Sequence, residues 1–345
     1  MTKRIAVVLF NLGGPDSPEA IKPFLFNLFN DPAIIQLVNP FRWVLARFIS
    51  SRRTPVAKKI YNHLGGKSPL LELTSQQATA LEKALADTGE IRCFVAMRYW
   101  HPMIIEAAEQ VRDFAPDEIV LLPLYPQYST TTTGSSLVEW TKASSITGLS
   151  APQKTICCYP DDTGWISAQV DLINKTRSNI QSDQKLRILF SAHGLPKKIV
   201  DGGDPYRHQV ERTVEAIVLG LSPDQDWVIC YQSRVGRLEW IGPSTEDELQ
   251  RAADDGVGVI VVPVAFVSEH SETLVELDIE YRELAEKLGI SVYHRVPTVC
   301  LHESFISGLA ELVRKSLDQQ LPMCSGALDG KRICGSAFSR CPLVN

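Results

Sequence analysis

A histidine at the predicted end of a buried strand is the first residue whose position suggests chemistry. Residues 186–191 form an apolar run of the length of a buried strand, followed by His193 and Gly194, and Pro196 bars further ladder pairing. In parallel α/β sheets, ligands bind in the crevice beyond the carboxyl ends of the strands. A loop histidine is commonly held by a backbone carbonyl, so His193 alone does not indicate a site.

A row of acidic side chains follows a second predicted strand. Glu269, Glu272, Glu276 and Glu280 recur at intervals of three and four residues, which on an α-helix places them on one face. Like charges at this spacing destabilise a helix. A solvated face is the ordinary explanation, but this row begins where a strand ends. It therefore predicts proton or metal chemistry beside His193, because imidazole and carboxylates serve both.

Aromatic side chains and arginines stand near several predicted loop ends. The aromatic residues are Tyr61, Tyr99, Trp100, Tyr125 and Trp240. With the arginines they suit a flat, aromatic ligand that carries carboxylates.

Residues 21–50 are rich in apolar side chains, with arginines interleaved. One interpretation is a pair of helices that face the core. The other is an apolar lip over a flat hydrophobic ligand, or a surface that rests on a membrane.

Strand and helix patterns alternate along the chain, which predicts a parallel, doubly wound α/β architecture. The main predicted strands lie at 5–10, 91–97, 118–124, 186–191, 226–231 and 257–266. A long helix is predicted over 271–288.

The alternation pauses near 150–185, and this pause predicts a domain boundary. We expect a first lobe over 1–155, a second over 156–320 and a tail over 321–345. A faint repeat between the halves fits two similar lobes that face a cleft.

The composition limits the possible functions. The chain has 345 residues and a formal net charge of −5, without a long basic cluster, so nucleic acid is not an expected partner. No apolar run approaches the roughly 18 residues of a membrane span, and the first strand leaves no room for a signal peptide. Eight cysteines without such a signal indicate a reducing compartment.

Three cysteines, Cys324, Cys334 and Cys341, lie in the tail. They are either loose thiols at a frayed terminus or part of a metal site, and three thiols in one short intracellular tail favour the metal site.

Several motifs resemble ferrochelatases. In order, they are Phe10-Asn11-Leu12-Gly13-Gly14-Pro15, Tyr125-Pro126-Gln127-Tyr128-Ser129, Phe190-Ser191-Ala192-His193-Gly194-Leu195-Pro196, Gly203-Asp204-Pro205-Tyr206, Tyr231-Gln232-Ser233-Arg234-Val235-Gly236 and the stretch 272–281. The resemblance runs to about residue 315. It implies two Rossmann-like lobes, each a parallel sheet flanked by helices, with a cleft between them. It also implies insertion of Fe2+ into protoporphyrin IX with release of two protons, the last step of haem synthesis.

The same resemblance implies roles for individual residues. His193 and Glu272 would form the pair that handles metal and protons, and Glu269 and Glu276 would belong to an acidic path that also meets the metal. The porphyrin-binding set comprises Leu12, Arg53, Tyr61, Ser68, Arg98 and Tyr99, to which the aromatic pattern adds Tyr125 and Trp240.

Some ferrochelatases carry a [2Fe-2S] cluster in the tail, held by four thiolates. Mitochondrial members take the fourth ligand from the segment occupied here by Thr130, so this sequence departs from them. Cys158, or its neighbour Cys157, is then the expected fourth ligand beside Cys324, Cys334 and Cys341.

Two alternatives remain open at this stage. One is a chelatase for another tetrapyrrole or metal, such as coproporphyrin or cobalt. The other is a non-catalytic porphyrin or haem carrier, against which the acidic row argues. The expected location is the cytoplasm, with peripheral contact to the inner face of the membrane through residues 21–50.

Overall fold

Two separate parallel sheets, each flanked by helices, carry the residues singled out above, which confirms the predicted α/β class. The computed structural model describes residues 3–181, 184–234, 236, 238–327 and 329–343. Val235, in one of the motifs above, lies outside the described residues. The chain divides into one unit of Met1–Cys157 with Ala310–Cys324, and a second of Cys158–Leu309 with Ser325–Asn345.

The first unit contains a five-stranded parallel sheet in the order β2-β1-β3-β4-β9. Its strands are β1 Arg4–Asn11, β2 Glu90–Met97, β3 Glu118–Pro123, β4 Gln153–Ile156 and β9 Met323–Cys324. Its helices are α1 Ile21–Phe29, α2 Phe41–Asn62, α3 Leu70–Ala84, α4 Ile104–Phe114 and α5 Thr133–Thr147. Alternate residues of β1 and β3 pack under α4 and α5, around Phe10 and Trp140.

The second unit contains a four-stranded parallel sheet in the order β6-β5-β7-β8. Its strands are β5 Leu186–His193, β6 Asp226–Gln232, β7 Gly258–Pro263 and β8 Tyr293–Arg295. Its helices are α6 Thr163–Ser178, α7 Lys197–Asp201, α8 Tyr206–Leu219, α9 Thr245–Asp254, a π-helix Glu272–Glu280 and α10 Tyr281–Lys287. Helix α11, Glu303–Asp318, contributes to both units.

Helices bury both faces of the second sheet, which explains why β5 reads as a continuous apolar run. Ile188 and Phe190 pack on the side of α8, while Leu189 packs on the side of α9. The strand therefore has no solvent-facing side until its last residue. That residue is His193, which is only half-buried.

The helix predicted over 271–288 is two helices of different kinds. The π-helix covers Glu272–Glu280, and α10 continues over Tyr281–Lys287. The prediction of one α-helix is wrong, because the backbone hydrogen bonds of a π-helix join residues five apart instead of four. The acids are therefore not related by 3.6-residue turns, and Glu280 is exposed.

The apolar segment 21–50 contains α1 and the first part of α2, and these two helices differ in burial. Helix α1 buries Ile21, Phe24 and Leu25 in the first unit. Helix α2 instead exposes apolar side chains, among them Phe41 at 67% and Phe48 at 62%. Within the described residues, no helix is both long and apolar enough to cross a membrane.

Candidate functional site

The backbone at the end of β5 places His193 beside β6 and beyond the end of β7. β5 is hydrogen-bonded to β6 on one side and to β7 on the other, and His193 is in register with Gln232 of β6. The next residue must be glycine. A Cβ on Gly194 would lie 2.9 Å from the carbonyl oxygen of Gln232 and 3.4 Å from Cε3 of Trp240. The chain can therefore turn away from the sheet directly after the histidine.

His193 meets the first acid of the π-helix. Its Nδ1 lies 2.9 Å from Oε2 of Glu272. Nε2 of His270 lies 3.7 Å from the same carboxylate oxygen, and Nδ1 of His270 lies 3.1 Å from the carbonyl oxygen of Ser268. One carboxylate is thus placed between two imidazoles.

Glu276 lies one turn further along and is held by several donors. Gln232 Nε2 donates to it at 3.1 Å, the backbone N–H of Ser233 at 2.8 Å and the Ser233 hydroxyl at 2.5 Å. Tyr281 donates its hydroxyl to Glu276 at 3.2 Å. Ser233 has a φ of 60°, a left-handed conformation that costs energy for a residue with a side chain. The two bonds to Glu276 stabilise that conformation.

The buried charges shift one another's pKa values. Burial acts to lower the pKa of His193, but the Glu272 carboxylate and the more distant Glu276 outweigh it and raise that pKa. Burial acts to raise the pKa of Glu272, but His193 and His270 hold it well below its usual range. Burial and the charge of Glu272 raise the pKa of Glu276. The arrangement can hold a proton on the imidazole and negative charge beside it.

Glu269 belongs to a different ion-pair network. Arg295, whose side chain is 8% exposed, donates to Glu269 at 2.9 Å and to Asp278 at 2.7 Å. The backbone N–H of Thr298 also donates to Glu269, at 3.0 Å. Burial acts to raise the pKa of Glu269, but Arg295 lowers it overall. The structure therefore does not unite the predicted acidic row in one hydrogen-bonded group.

In the first unit, three residues of the predicted porphyrin-binding set share an apolar cluster. Leu12, Tyr61 and Tyr99 pack there with α1. Tyr99 is 1% exposed and donates its hydroxyl to Asp31 at 2.7 Å. Arg98 binds the same carboxylate at 2.8 Å. Tyr99 and Arg98 are therefore anchored by one buried acid.

The other predicted porphyrin residues have separate surroundings. The Arg53 guanidinium lies 5.9 Å from the ring centroid of Phe29, and the Ser68 backbone N–H donates to Pro15 at 2.7 Å. Tyr125 packs beside the core under α4 and α5, where burial raises the pKa of its hydroxyl. In the second unit, Trp240 forms a backbone bridge with Pro196, three residues after His193.

Three of the predicted cluster cysteines meet in the second unit. Gln209 Nε2 lies 3.4 Å from the Sγ of Cys158 and 3.2 Å from the Sγ of Cys334. Cys334 donates to Cys341, which lowers the pKa of Cys341 to about 6. Cys324 ends β9 in the first unit, where its carbonyl accepts the backbone N–H of Cys157. Within the described parts of the chain, no three His, Cys, Asp or Glu side chains already stand in a metal-binding arrangement.

Sequence reasoning missed four residues that shape this site. They are Gln232, Ser233, His270 and Tyr281. A signal existed for the first two, because Gln232 ends a strand that neighbours β5 in the sheet and Ser233 follows it directly. His270 lies inside the acidic row and could have been weighed with it, but the position of Tyr281 depends on the π-helix.

The chain is similar to known proteins along nearly its whole length. The family model described as Ferrochelatase matches residues 4–317. A ferrochelatase of Caulobacter vibrioides is 52% identical over 99% of this chain and 98% of its own length. A ferrochelatase of Pelagibacter ubique is 48% identical over the same shares.

Two solved structures show the same fold. SirB from Bacillus subtilis with Fe3+ has a TM-score of 0.55 at 12% identity and covers 91% of this chain and 95% of its own. The sirohydrochlorin chelatase SirB from Bacillus subtilis subspecies spizizenii in complex with cobalt has a TM-score of 0.51 at 13% identity, with the same shares covered.

Proposed function

The chain belongs to the ferrochelatase family, and we propose that the tetrapyrrole into which it inserts Fe2+ is protoporphyrin IX. Ferrochelatase activity makes it a metal chelatase of haem biosynthesis, with Fe2+ as a substrate. The observation that carries the assignment of metal insertion to this site is the contact of His193 with Glu272 at the end of β5.

The reaction must remove two protons from the porphyrin. The metal-free ring carries two pyrrole N–H groups, and both protons leave as Fe2+ binds the four nitrogens. We assign His193 as the group that accepts a proton. Its Nδ1 faces Glu272, which leaves Nε2 as the ring nitrogen that can take up a proton from the substrate.

The acids around His193 stabilise the charge that this transfer creates. Glu272 holds the imidazole in the tautomer with its proton on Nδ1, and it stabilises the imidazolium afterwards, as an acid does behind a catalytic histidine. Glu276, hydrogen-bonded to Gln232 and Ser233, adds negative charge nearby. The same carboxylates attract Fe2+ as it sheds its water.

The porphyrin contacts are proposed residue by residue. In the first unit, Leu12, Tyr61 and Tyr99 supply an apolar and aromatic surface, and Arg53 and Arg98 supply positive charge for carboxylates. In the second unit, Trp240 supplies a ring near His193. Family membership favours an enzyme over the carrier alternative.

The test is anaerobic turnover of the purified protein with Fe2+ and either protoporphyrin IX or coproporphyrin, followed by metalloporphyrin absorbance. We expect a higher kcat/KM with protoporphyrin IX. A clear preference for coproporphyrin would replace the proposed substrate with the alternative.

We also propose that the chain carries a [2Fe-2S] cluster on Cys158, Cys324, Cys334 and Cys341. The four cysteines are chemically suited to hold the cluster, because thiolates are the usual ligands of such clusters. Cys158 and Cys334 are also almost fully buried. Gly326, two residues after Cys324, donates its backbone N–H to the carbonyl of Cys158 at 2.7 Å. When bound, the cluster would add a one-electron centre to the protein.

We propose that the protein is a cytoplasmic enzyme that rests on the inner face of the membrane, and that helix α2 makes the membrane contact. Its exposed side includes Phe41, Val44 and Phe48, and basic residues lie among them, with no acid in Phe41–Asn62. An apolar and basic face of this kind binds anionic bilayers.

The membrane proposal is tested by co-sedimentation with phosphatidylglycerol vesicles. Serine at Phe41, Val44 and Phe48 should abolish binding. Serine at Val138, Ile146 and Leu219, which are exposed elsewhere, should leave it intact. Equal binding by both variants would contradict the proposal.

A further inference from the structure

Helix α8 holds the segment that carries Cys158. Thr213 donates its hydroxyl to the carbonyl of Pro160 at 2.7 Å, and Arg212 forms an ion pair with Asp161. Two consecutive residues, Pro160 and Asp161, are thus bound by one helix, which anchors the segment close to Cys158.

The first turn of α8 and the loop before it also hold the segment that carries Cys334 and Cys341. The His208 ring stacks on Phe338 with centroids 4.9 Å apart and an interplanar angle of 18°. Arg340 donates its backbone N–H to the carbonyl of Gly203 at 3.1 Å. One helix therefore anchors both thiol-bearing segments of the second unit.

Gln209 lies on α8 where the two segments meet. Its side chain is completely buried, and its Nε2 contacts the sulfurs of Cys158 and Cys334. A primary amide has two N–H donors on one nitrogen. It can therefore donate to both sulfurs at once, and the contacts lie at 3.4 and 3.2 Å.

We propose that Gln209 is a hydrogen-bond donor to two cysteine ligands of the [2Fe-2S] cluster and that it raises the reduction potential of that cluster. The inference rests on the cluster proposed above. Reduction adds one electron to the iron and makes the sulfurs more negative, so N–H donors stabilise the reduced form more than the oxidised form. Hydrogen bonds to sulfur are one of the means by which proteins set these potentials.

The test removes the amide donor of Gln209 while keeping a side chain of similar size. Gln209→Met and Gln209→Leu both remove the two N–H groups, and either one that folds suffices. The matched control is Gln169→Met. Gln169 is also buried in the second unit, and its amide atoms have no hydrogen-bond partner among the described residues.

Each protein is purified anaerobically, assayed for iron and acid-labile sulfide, and titrated at an electrode with mediators. We expect a full cluster in all of them, a more negative potential in the Gln209 variants and a severalfold weaker electron paramagnetic resonance signal of the reduced cluster at the wild-type midpoint. Chelators should also bleach the cluster of the Gln209 variants faster, because Cys158 and Cys334 lose a shared hydrogen-bond donor.

Three results would overturn the inference. A Gln209 variant with a full cluster and the wild-type potential would show that the amide has no effect on it. An equal shift in Gln169→Met would show that any buried change in this unit has the same consequence. A wild-type protein that holds no cluster after reconstitution would instead refute the cluster itself, and the role of Gln209 with it.

Discussion

Oε2 of Glu272 lies 2.9 Å from Nδ1 of His193, although 79 residues separate the two in sequence. The contact is possible because β5 and β7 are neighbours in a parallel sheet, so the segments that leave both strands begin at the same edge.

Replacement of His193 by alanine should abolish metal insertion without unfolding the protein. His193 is half-buried at the end of its strand, so its removal leaves little void. We expect kcat to fall by about 10²- to 10⁴-fold, the usual contribution of a general base, in the anaerobic haem assay with circular dichroism as the fold check. His294→Ala, at an exposed position, is the control. Wild-type rates in His193→Ala would exclude His193 as the base.

The acids of the π-helix should contribute unequally. Glu272→Gln removes the charge that contacts His193, whereas Glu280→Gln changes an exposed carboxylate at the other end of the same helix. We expect a loss of at least about 10²-fold for the first and near wild-type activity for the second. Similar losses in the two variants would mean that the row acts only as a charged surface.

On the acid side of the pH profile, the fall in kcat/KM should reflect the pKa of His193. A base must be neutral to accept a proton, so activity falls as the pH drops below the pKa of His193, which its acidic neighbours raise. Glu276→Gln removes one of these charges and should move this fall to lower pH, while Glu280→Gln should leave it in place. A shift to higher pH in Glu276→Gln would contradict the assignment.

The same pKa has a consequence for stability. A histidine whose pKa is raised by folding stabilises the protein fully below its unfolded pKa of about 6.5, and this contribution disappears as the pH rises through the folded value. The difference in unfolding free energy between wild type and His193→Ala should therefore shrink from low to high pH in urea titrations.

Arg295 should matter for stability more than any surface cation. Arg295→Leu leaves Glu269 and Asp278 without their shared partner, and breaking a buried ion pair in this way costs about 3–5 kcal/mol. Lys287→Leu, which breaks an exposed pair with Glu283, should change the free energy of unfolding by less than about 1 kcal/mol. Comparable urea midpoints for the two variants would argue against the network.

The cysteine variants should differ in colour. Anaerobically purified wild type should be brown, and Cys334→Ser or Cys341→Ser should be colourless. Cys158→Ser should lose colour and Cys157→Ser should keep it, because Gln209 contacts the sulfur of Cys158. A colourless but fully active wild type, even after reconstitution, would leave the tail cysteines as ordinary thiols.

The strands and the end of β5 could be predicted because burial on both faces gives short apolar runs, and glycine and proline mark where they stop. The π-helix could not be predicted, because backbone hydrogen bonds between residues five apart leave no distinct period in the sequence over only nine residues. The contact of Gln209 with two sulfurs could not be predicted either, since it depends on how α8 packs against two distant segments. Burial of Tyr99 against Asp31 likewise depends on a partner 68 residues away.

The position of β9 affects how the protein is made. Thr155 and Ile156 of β4 pair with Met323 and Cys324, so the last strand of the first sheet leaves the ribosome only after the segment Cys158–Leu309 of the second unit. Until then the outer edge of β4 lacks its partner, and an unpaired edge can associate with other chains. A chain shortened to residue 309 would keep that edge open permanently, so neither unit can be expressed faithfully as one continuous fragment.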